Sequence, residues 1–298
     1  AQPHVHDLLG EIFGTDGILG RLFSLRRPTG PVFVATPDAP PADWFPPQTV
    51  FGANAAMREV CDLAAASAAA RVDWARRGRS PLGYVKGMAV VWARVHAKWK
   101  AGDAAVHLMA AADRDLPDKD ALSWYAARFA ALGLANDRDG LDTLRHLFVL
   151  LVGLGMRESS GRYCEGRDRS ATNVTAGTAE AGLFQTSWNI VSVDRPHLVA
   201  LRDAYADHTD LIEIFKEGVN VRSSDLENYG SGDGLAYQRL AKTCPAFAAE
   251  FTALAMRSGR KHWGPINRRE AELMPEWDAL FRAIGDLSDR RGWTLADL

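Results

Sequence analysis

Three observations point to a mainly α protein. Apolar residues recur at helical spacing through most of the chain beyond residue 50, Ala, Leu and Arg fill the same stretches, and only Val32-Phe33-Val34 reads as a short strand. From Gly20 to Pro47 the prolines at 28, 31, 37, 40, 41, 46 and 47 break any helix, so residues 1–50 are expected to be an irregular segment wrapping a helical body over 51–298.

Helices are expected in order along that body. Ala53 to Arg77 has strong helix propensity; Pro81 to Lys100 follows, with Pro81 in the first turn and Val85, Met88, Val91, Trp92 and Val95 on a helical period. Ala104 to Ala112 and Lys119 to Leu132 continue, the latter burying Leu122, Tyr125, Phe129 and Leu132 on one face. A turn at Asn136 to Gly140 leads into a helix begun near Asp142, whose end, Leu147 to Met156, is apolar enough to be buried. Further helices are expected at His197 to Tyr205, Thr209 to Lys216, Leu235 to Lys242, Pro245 to Met256 and Asn267 to Ile284, with Pro275 breaking or kinking the last.

A chain of 298 residues, 47% hydrophobic, can bury a sizeable core in one large domain or two. The net charge of −2 leaves no basic footprint for nucleic acid, and no stretch has the apolar length of a membrane span. Ala1-Gln2-Pro3 shows no signal peptide, although Ala-Gln is a plausible pair after a cleavage site; a periplasmic or secreted protein is expected. The His4-x-His6 pair fits a solvated tail better than a metal site, Gly230-x-Gly232-x-Gly234 lacks the strand and spacing of a nucleotide fingerprint, and no cofactor is expected. Cys61 reads as core. Cys164 and Cys244 are either bridged, pinning the loop after residue 158 to a later helix, or two buried thiols.

The chemistry concentrates between Gly155 and Asn189. Glu158 stands where an apolar helix stops, and Ser159, Ser160 and Gly161 break the pattern at once. A carboxyl with hydrocarbon on one side and a turn on the other has its pKa raised towards general-acid duty. The plainer alternative is that Arg157 and Glu158 form an ordinary charged pair at a helix end. Downstream, Gly182-Leu183-Phe184-Gln185 and Ser187-Trp188-Asn189 alternate polar groups with large aromatics, as a sugar-binding wall does. Tyr163, Gln185, Ser187, Trp188 and Asn189 are accordingly candidate substrate-binding residues.

Glu158-Ser159-Ser160-Gly161, followed about twenty residues later by Gly182-Leu183-Phe184-Gln185, resembles the lysozyme superfamily, especially goose-type lysozymes and lytic transglycosylases, in which a Glu-Ser motif precedes Gly-Leu-Met-Gln. The likeness covers about 35 of 298 residues. It implies a lysozyme-like helical core over about 139–298, a small β-hairpin or irregular wing across a cleft, and an N-terminal helical extension. It further implies that Glu158 is the acid, that Ser159 steadies it by hydrogen bonding, and that Gln185 and the backbone near Gly182 line the cleft. Departures from the family pattern are Gly161, one place early for goose-type spacing, Ser187 in place of an aspartate, and the lack of an intact Ala-Tyr-Asn. Glu227-Asn228-Tyr229-Gly230 is the nearest cluster, which makes Tyr229 a candidate.

Cleaving a glycosidic bond also needs something to manage positive charge at the sugar carbon. Glu180 and Asp168 are the leading candidates, with Asp194 a third, each with a purely structural alternative; if none serves, the transglycosylase likeness implies one Glu acting first as acid and then as base. The expected function is therefore cleavage of a β-linked polysaccharide, peptidoglycan or another amino-sugar polymer by resemblance. The slightly acidic chain suits a remodelling enzyme or a different polysaccharide better than a cell-attacking enzyme. Two alternatives from other classes are a noncatalytic glycan-binding protein with the same fold and a helical scaffold that binds partners through Trp-rich faces.

Overall fold

The computed structural model describes residues 54–170, 174–206 and 211–298; the expected wrapping segment, the strand at Val32–Val34 and the His4-x-His6 pair lie outside them. The described chain is mainly helical, with one two-stranded antiparallel sheet. It begins with α1 (Ala55–Ala66), capped by the Asn54 side chain, which accepts from Met57 N–H at 3.1 Å.

The expected long helix to Arg77 stops at Ala66. Ser67 turns extended and gives both its N–H and its hydroxyl to the Ala64 carbonyl. A short 3-10 turn at Ala68–Arg71 then leads into a hairpin, β1 (Asp73–Trp74) and β2 (Gly78–Arg79), paired Asp73 to Arg79 and Trp74 to Gly78. Burying Trp74 in the core outweighs the helix propensity of the arginines that follow it.

Next come α2 (Leu82–Lys100) and α3 (Ala104–Met109). Pro81 is extended and precedes the first turn of α2 rather than occupying it. The single helix expected over 119–132 is two short ones, α4 (Ala121–Trp124) and α5 (Ala126–Ala131), separated at Tyr125. The axis of the molecule is α6 (Leu141–Ser159), buried continuously from Thr143 to Met156. Each fully buried Leu, Val or Phe on it contributes roughly 1.5–3 kcal/mol. Even its polar members are partnered: Arg145 bonds Asp278 at 2.7 Å and Asp142 at 2.5 Å, and His146 bonds Asn136 at 2.8 Å.

Beyond α6 lie α7 (Arg195–Tyr205), α8 (Ile212–Phe215), α9 (Gly232–Thr243), α10 (Pro245–Ser258), α11 (Gly264–Asn267) and α12 (Pro275–Arg291). Pro275 starts α12 instead of breaking it, because the ring suits the first turn, where no helical partner for an N–H is needed. Helix α2 packs against α1, α12, α6 and α10, so the N-terminal helices share one core with the segment carrying Glu158. No helix among the described residues is long and apolar enough to cross a membrane.

Candidate active site

Helix α6 delivers Glu158 out of the core at its last turn. The chain then reverses through Ser160 and Gly161, both left-handed at φ 56° and 74°, whose N–H groups donate to the Met156 and Gly155 carbonyls. The Glu158 side chain is half-buried, and its carboxyl is pushed up to about 8. Desolvation by the surrounding protein is the largest cause, and the charge of Glu180 is next; Arg268 and Arg77 pull downwards, and Glu270 adds a further upward push. Glu158 therefore keeps its proton at neutral pH.

Arg157 does not pair with its neighbour. Its Nε donates to Glu270 Oε2 at 3.1 Å, and Glu270 also holds Arg268 at 3.1 Å. Gly264 brings α11 over the acid: a Cβ there would stand 3.1 Å from Glu158 Oε1. Trp263, half-buried, precedes it, so the turn from His262 to Pro265 borders Glu158.

The two motifs of the sequence meet in space. Ser159 Oγ donates to the Leu183 carbonyl at 2.8 Å and to the Gly155 carbonyl at 3.0 Å, which ties the end of α6 to the turn at 182–185. That turn is closed by an antiparallel bridge between Ala181 and Thr186 and plugged into the core by Leu183 and Phe184. Gly182, at φ 72°, gives its N–H to the Glu165 carbonyl at 2.8 Å, and a Cβ there would meet the Ala241 carbonyl at 2.8 Å. Ser159 is buried and its hydroxyl hydrogen is taken up by backbone carbonyls, so it braces the end of α6 that carries Glu158 and is not open to a substrate.

Glu180 is the carboxylate that interacts with Glu158. Its side chain is exposed, yet desolvation, with Asp168 as the second cause, pushes its carboxyl up to about 7. Asp168 is exposed and held below the usual carboxylate range by the hydroxyl and N–H of Ser170, at 2.7 and 2.8 Å. Asp194 caps α7 and pairs with His197 at 2.8 Å, a structural role.

Several expected substrate contacts are core or brace. Tyr163 is buried, and Trp188 packs against Tyr237 and Phe251 with the Arg202 guanidinium over its ring at 4.8 Å; both are corrected from wall residues to core. Gln185 Nε2 donates to the Gly182 carbonyl at 3.0 Å and the Glu165 carbonyl at 3.3 Å, bracing its own turn. Ser187 donates to Asn189 Oδ1 at 2.7 Å, and Asn189 N–H reaches the Gly177 carbonyl at 2.8 Å, so both shape the segment bearing Glu180. Tyr229 is half-buried beneath the Arg167 guanidinium at 4.8 Å, and Gln238 holds its backbone on both sides.

Cys164 and Cys244 are buried thiols and form no bridge. Burial pushes the Cys164 thiol up to about 12, far from the thiolate that disulfide exchange needs, and its sulfur lies 3.9 Å from Asp225. No group of three or more metal-ligating side chains gathers among the described residues. Hollows between α1 and α12, lined by Leu63 and Ala283 and in one case by Glu59, Asp62, Asp286 and Arg290, do not include Glu158 or Glu180.

No protein-family model, curated protein or solved structure matches the chain. The site is therefore defined by its chemistry. Sequence reasoning missed Arg77, Gly264 and Arg268, which approach Glu158 from segments about eighty residues before it and more than a hundred after it. The apolar run ahead of Glu158 signals burial, but no local pattern marks its distant neighbours.

Proposed function

We propose that the protein is a glycan-cleaving enzyme, a glycoside hydrolase or lytic transglycosylase for a β-linked amino-sugar polymer such as peptidoglycan, with Glu158 as its general acid. The observation that carries this is the Glu158 carboxyl itself: raised to about 8 at the mouth of a buried helix, it is protonated at neutral pH beside a second carboxyl at Glu180.

In the proposed step, Glu158 gives its proton to the departing glycosidic oxygen as the bond to the anomeric carbon breaks. Positive charge develops on that carbon, and Asp168 or Glu180, ionised, offsets it. Asp168 is ionised throughout the neutral range; Glu180, near 7, is only partly so. Water or a hydroxyl of the sugar itself then attacks the carbon, and Glu158, now a carboxylate, takes the released proton. Gly264 leaves the approach to Oε1 free of a side chain, which suits a bulky polymer.

The test is incubation of the purified protein with peptidoglycan, chitosan, chitin and neutral glucans, with mass spectrometry of the products. Wild type should release soluble fragments, reducing ends marking hydrolysis and anhydro ends transglycosylation. Glu158→Gln should lower turnover by about 10³-fold or more while glycan binding persists. Cleavage restricted to a neutral glucan would move the substrate away from amino sugars. Binding without products in wild type would make the chain a noncatalytic glycan-binding protein.

A further inference from the structure

The hairpin of β1 and β2 reaches the candidate acid from eighty residues upstream. Trp74, buried, anchors one strand; Arg76 and Gly78, left-handed at φ 60° and 68°, turn the chain; and Arg77 N–H closes the turn on the Trp74 carbonyl at 3.0 Å. Ala75 N–H donates to Glu272 Oε1 at 3.0 Å, joining the turn to the segment that carries Arg268 and Glu270. From this platform the Arg77 guanidinium forks. Nη2 donates to the Arg157 carbonyl, and Nη1 donates to Ser160 Oγ at 3.3 Å. The acceptors are Arg157 in the last turn of α6 and Ser160, the residue that caps it, one on each side of Glu158.

We propose that Arg77 is a positioning residue for Glu158: from the hairpin it clasps the helix end that carries the acid and supplies a fixed positive charge beside it. Two independent features meet here. A cation at a helix C-terminus is favourably placed against unpaired carbonyls and the negative end of the dipole. The same charge is one of two that hold Glu158 below the value burial alone would impose. The charged groups around the acid are Arg157 on its own helix, Arg77 on the hairpin, Glu180 on the segment after residue 174, and Arg268 and Glu270 beyond α11. Because Glu270 holds both Arg157 and Arg268, Arg77 is the cation in this group that bonds the catalytic helix end itself. The inference rests on Glu158 serving as the acid, and it assigns the N-terminal part of the body a place in the site.

The experiment is an NMR titration of carboxyl-labelled glutamate together with amide exchange on the unliganded protein. In Arg77→Gln the Glu158 titration should move upwards by about half a pH unit, while Arg79→Gln, which alters an exposed pair with Asp73 on the same hairpin, leaves it in place. Arg77→Lys keeps the charge but not the fork, so it should titrate near wild type and exchange the Ser160 and Gly161 amides about 10-fold faster. An unmoved Glu158 titration in folded Arg77→Gln, an equal shift in Arg79→Gln, or unchanged exchange in Arg77→Lys would overturn the assignment. Neither measurement uses a glycan, so a failed polysaccharide screen leaves this result standing, and a failed titration leaves the glycan-cleaving proposal to its own test.

Discussion

Glu158 and Glu180 have carboxyls raised mainly by burial, and the consequences run through both pH and stability. The folded pKa of Glu158, about 8, exceeds its ordinary 4.5, so the folded state binds a proton that the unfolded chain releases between those values. Below pH 4.5 the group costs nothing; stability falls as pH rises from 4.5 to about 8 and is level above, where both states are ionised. Glu158→Gln removes that loss and should gain on the order of 4 kcal/mol over wild type at pH 9 and nothing at pH 4, as read by urea unfolding. Glu180→Gln, which removes a neighbouring negative charge, should lower the Glu158 titration in the same NMR measurement. The activity profile should fall on the alkaline side near pH 8 as Glu158 loses its proton. The acid side separates the candidates: a limb near 7 identifies Glu180 as the ionised partner, and a limb below the usual carboxylate range identifies Asp168.

Helix α6 shows how glycine in a helix can serve packing. Gly153 is left bare because the Glu272 carbonyl passes where a Cβ would stand, and a Cβ on Gly155 would come within 2.5 Å of the Tyr84 hydroxyl. Tyr84 donates to the Val152 carbonyl at 2.8 Å, which locks α2 onto the same helix. Gly153→Ala would gain roughly 1 kcal/mol in helix propensity yet collide with backbone that cannot rotate away. The expected net effect is a loss of about 2 kcal/mol or more, with disturbed chemical shifts at Glu270 to Glu272, the segment that closes on Glu158. The sequence periodicity revealed α6, α2, α7 and α10 because their buried faces are long and regular. It overextended the first helix, since the residues from Val72 to Arg79 have ordinary helix propensity and only the burial of Trp74 turns them into a hairpin. The described sheet lies at 73–79, and the described residues around Glu180 are turns with one isolated bridge.

Across the whole molecule, buried ion pairs tie distant segments into one body. Asp120, wholly buried, receives Arg257 Nη1 and Arg260 Nη1, each at 2.5 Å, while Arg257 also caps the Ala112 carbonyl at 3.0 Å. Removing the acid strands the Arg257 cation in the interior and takes a partner from half-buried Arg260. Asp120→Ala should therefore destabilise the fold by about 3–5 kcal/mol, measurable as a lowered thermal midpoint. Lys98, Glu250 and Tyr205 make a second such knot between α2, α10 and α7, with Lys98 Nζ 2.7 Å from Glu250 and Tyr205 OH at the same distance. Separate bonds, from Ala75 to Glu272, from Arg77 to the Arg157 carbonyl and Ser160, and from Arg157 to Glu270, join the hairpin, the end of α6 and the 264–272 segment, so that a charge on one can act on an acid carried by another.

Local pattern along the chain was sufficient to identify a helical protein and to single out Glu158 at the end of an apolar helix, because periodicity and chain breaks are short-range properties written in neighbouring residues; its pairing with the turn at 182–185 was implied by the family resemblance. It could not say that Trp188 and Tyr163 would be swallowed by the core, that Arg157 would turn to Glu270, or that Arg77 and Gly264 would border the acid. Desolvation and Coulomb attraction depend on distance through space, and those distances exist once the helices have packed.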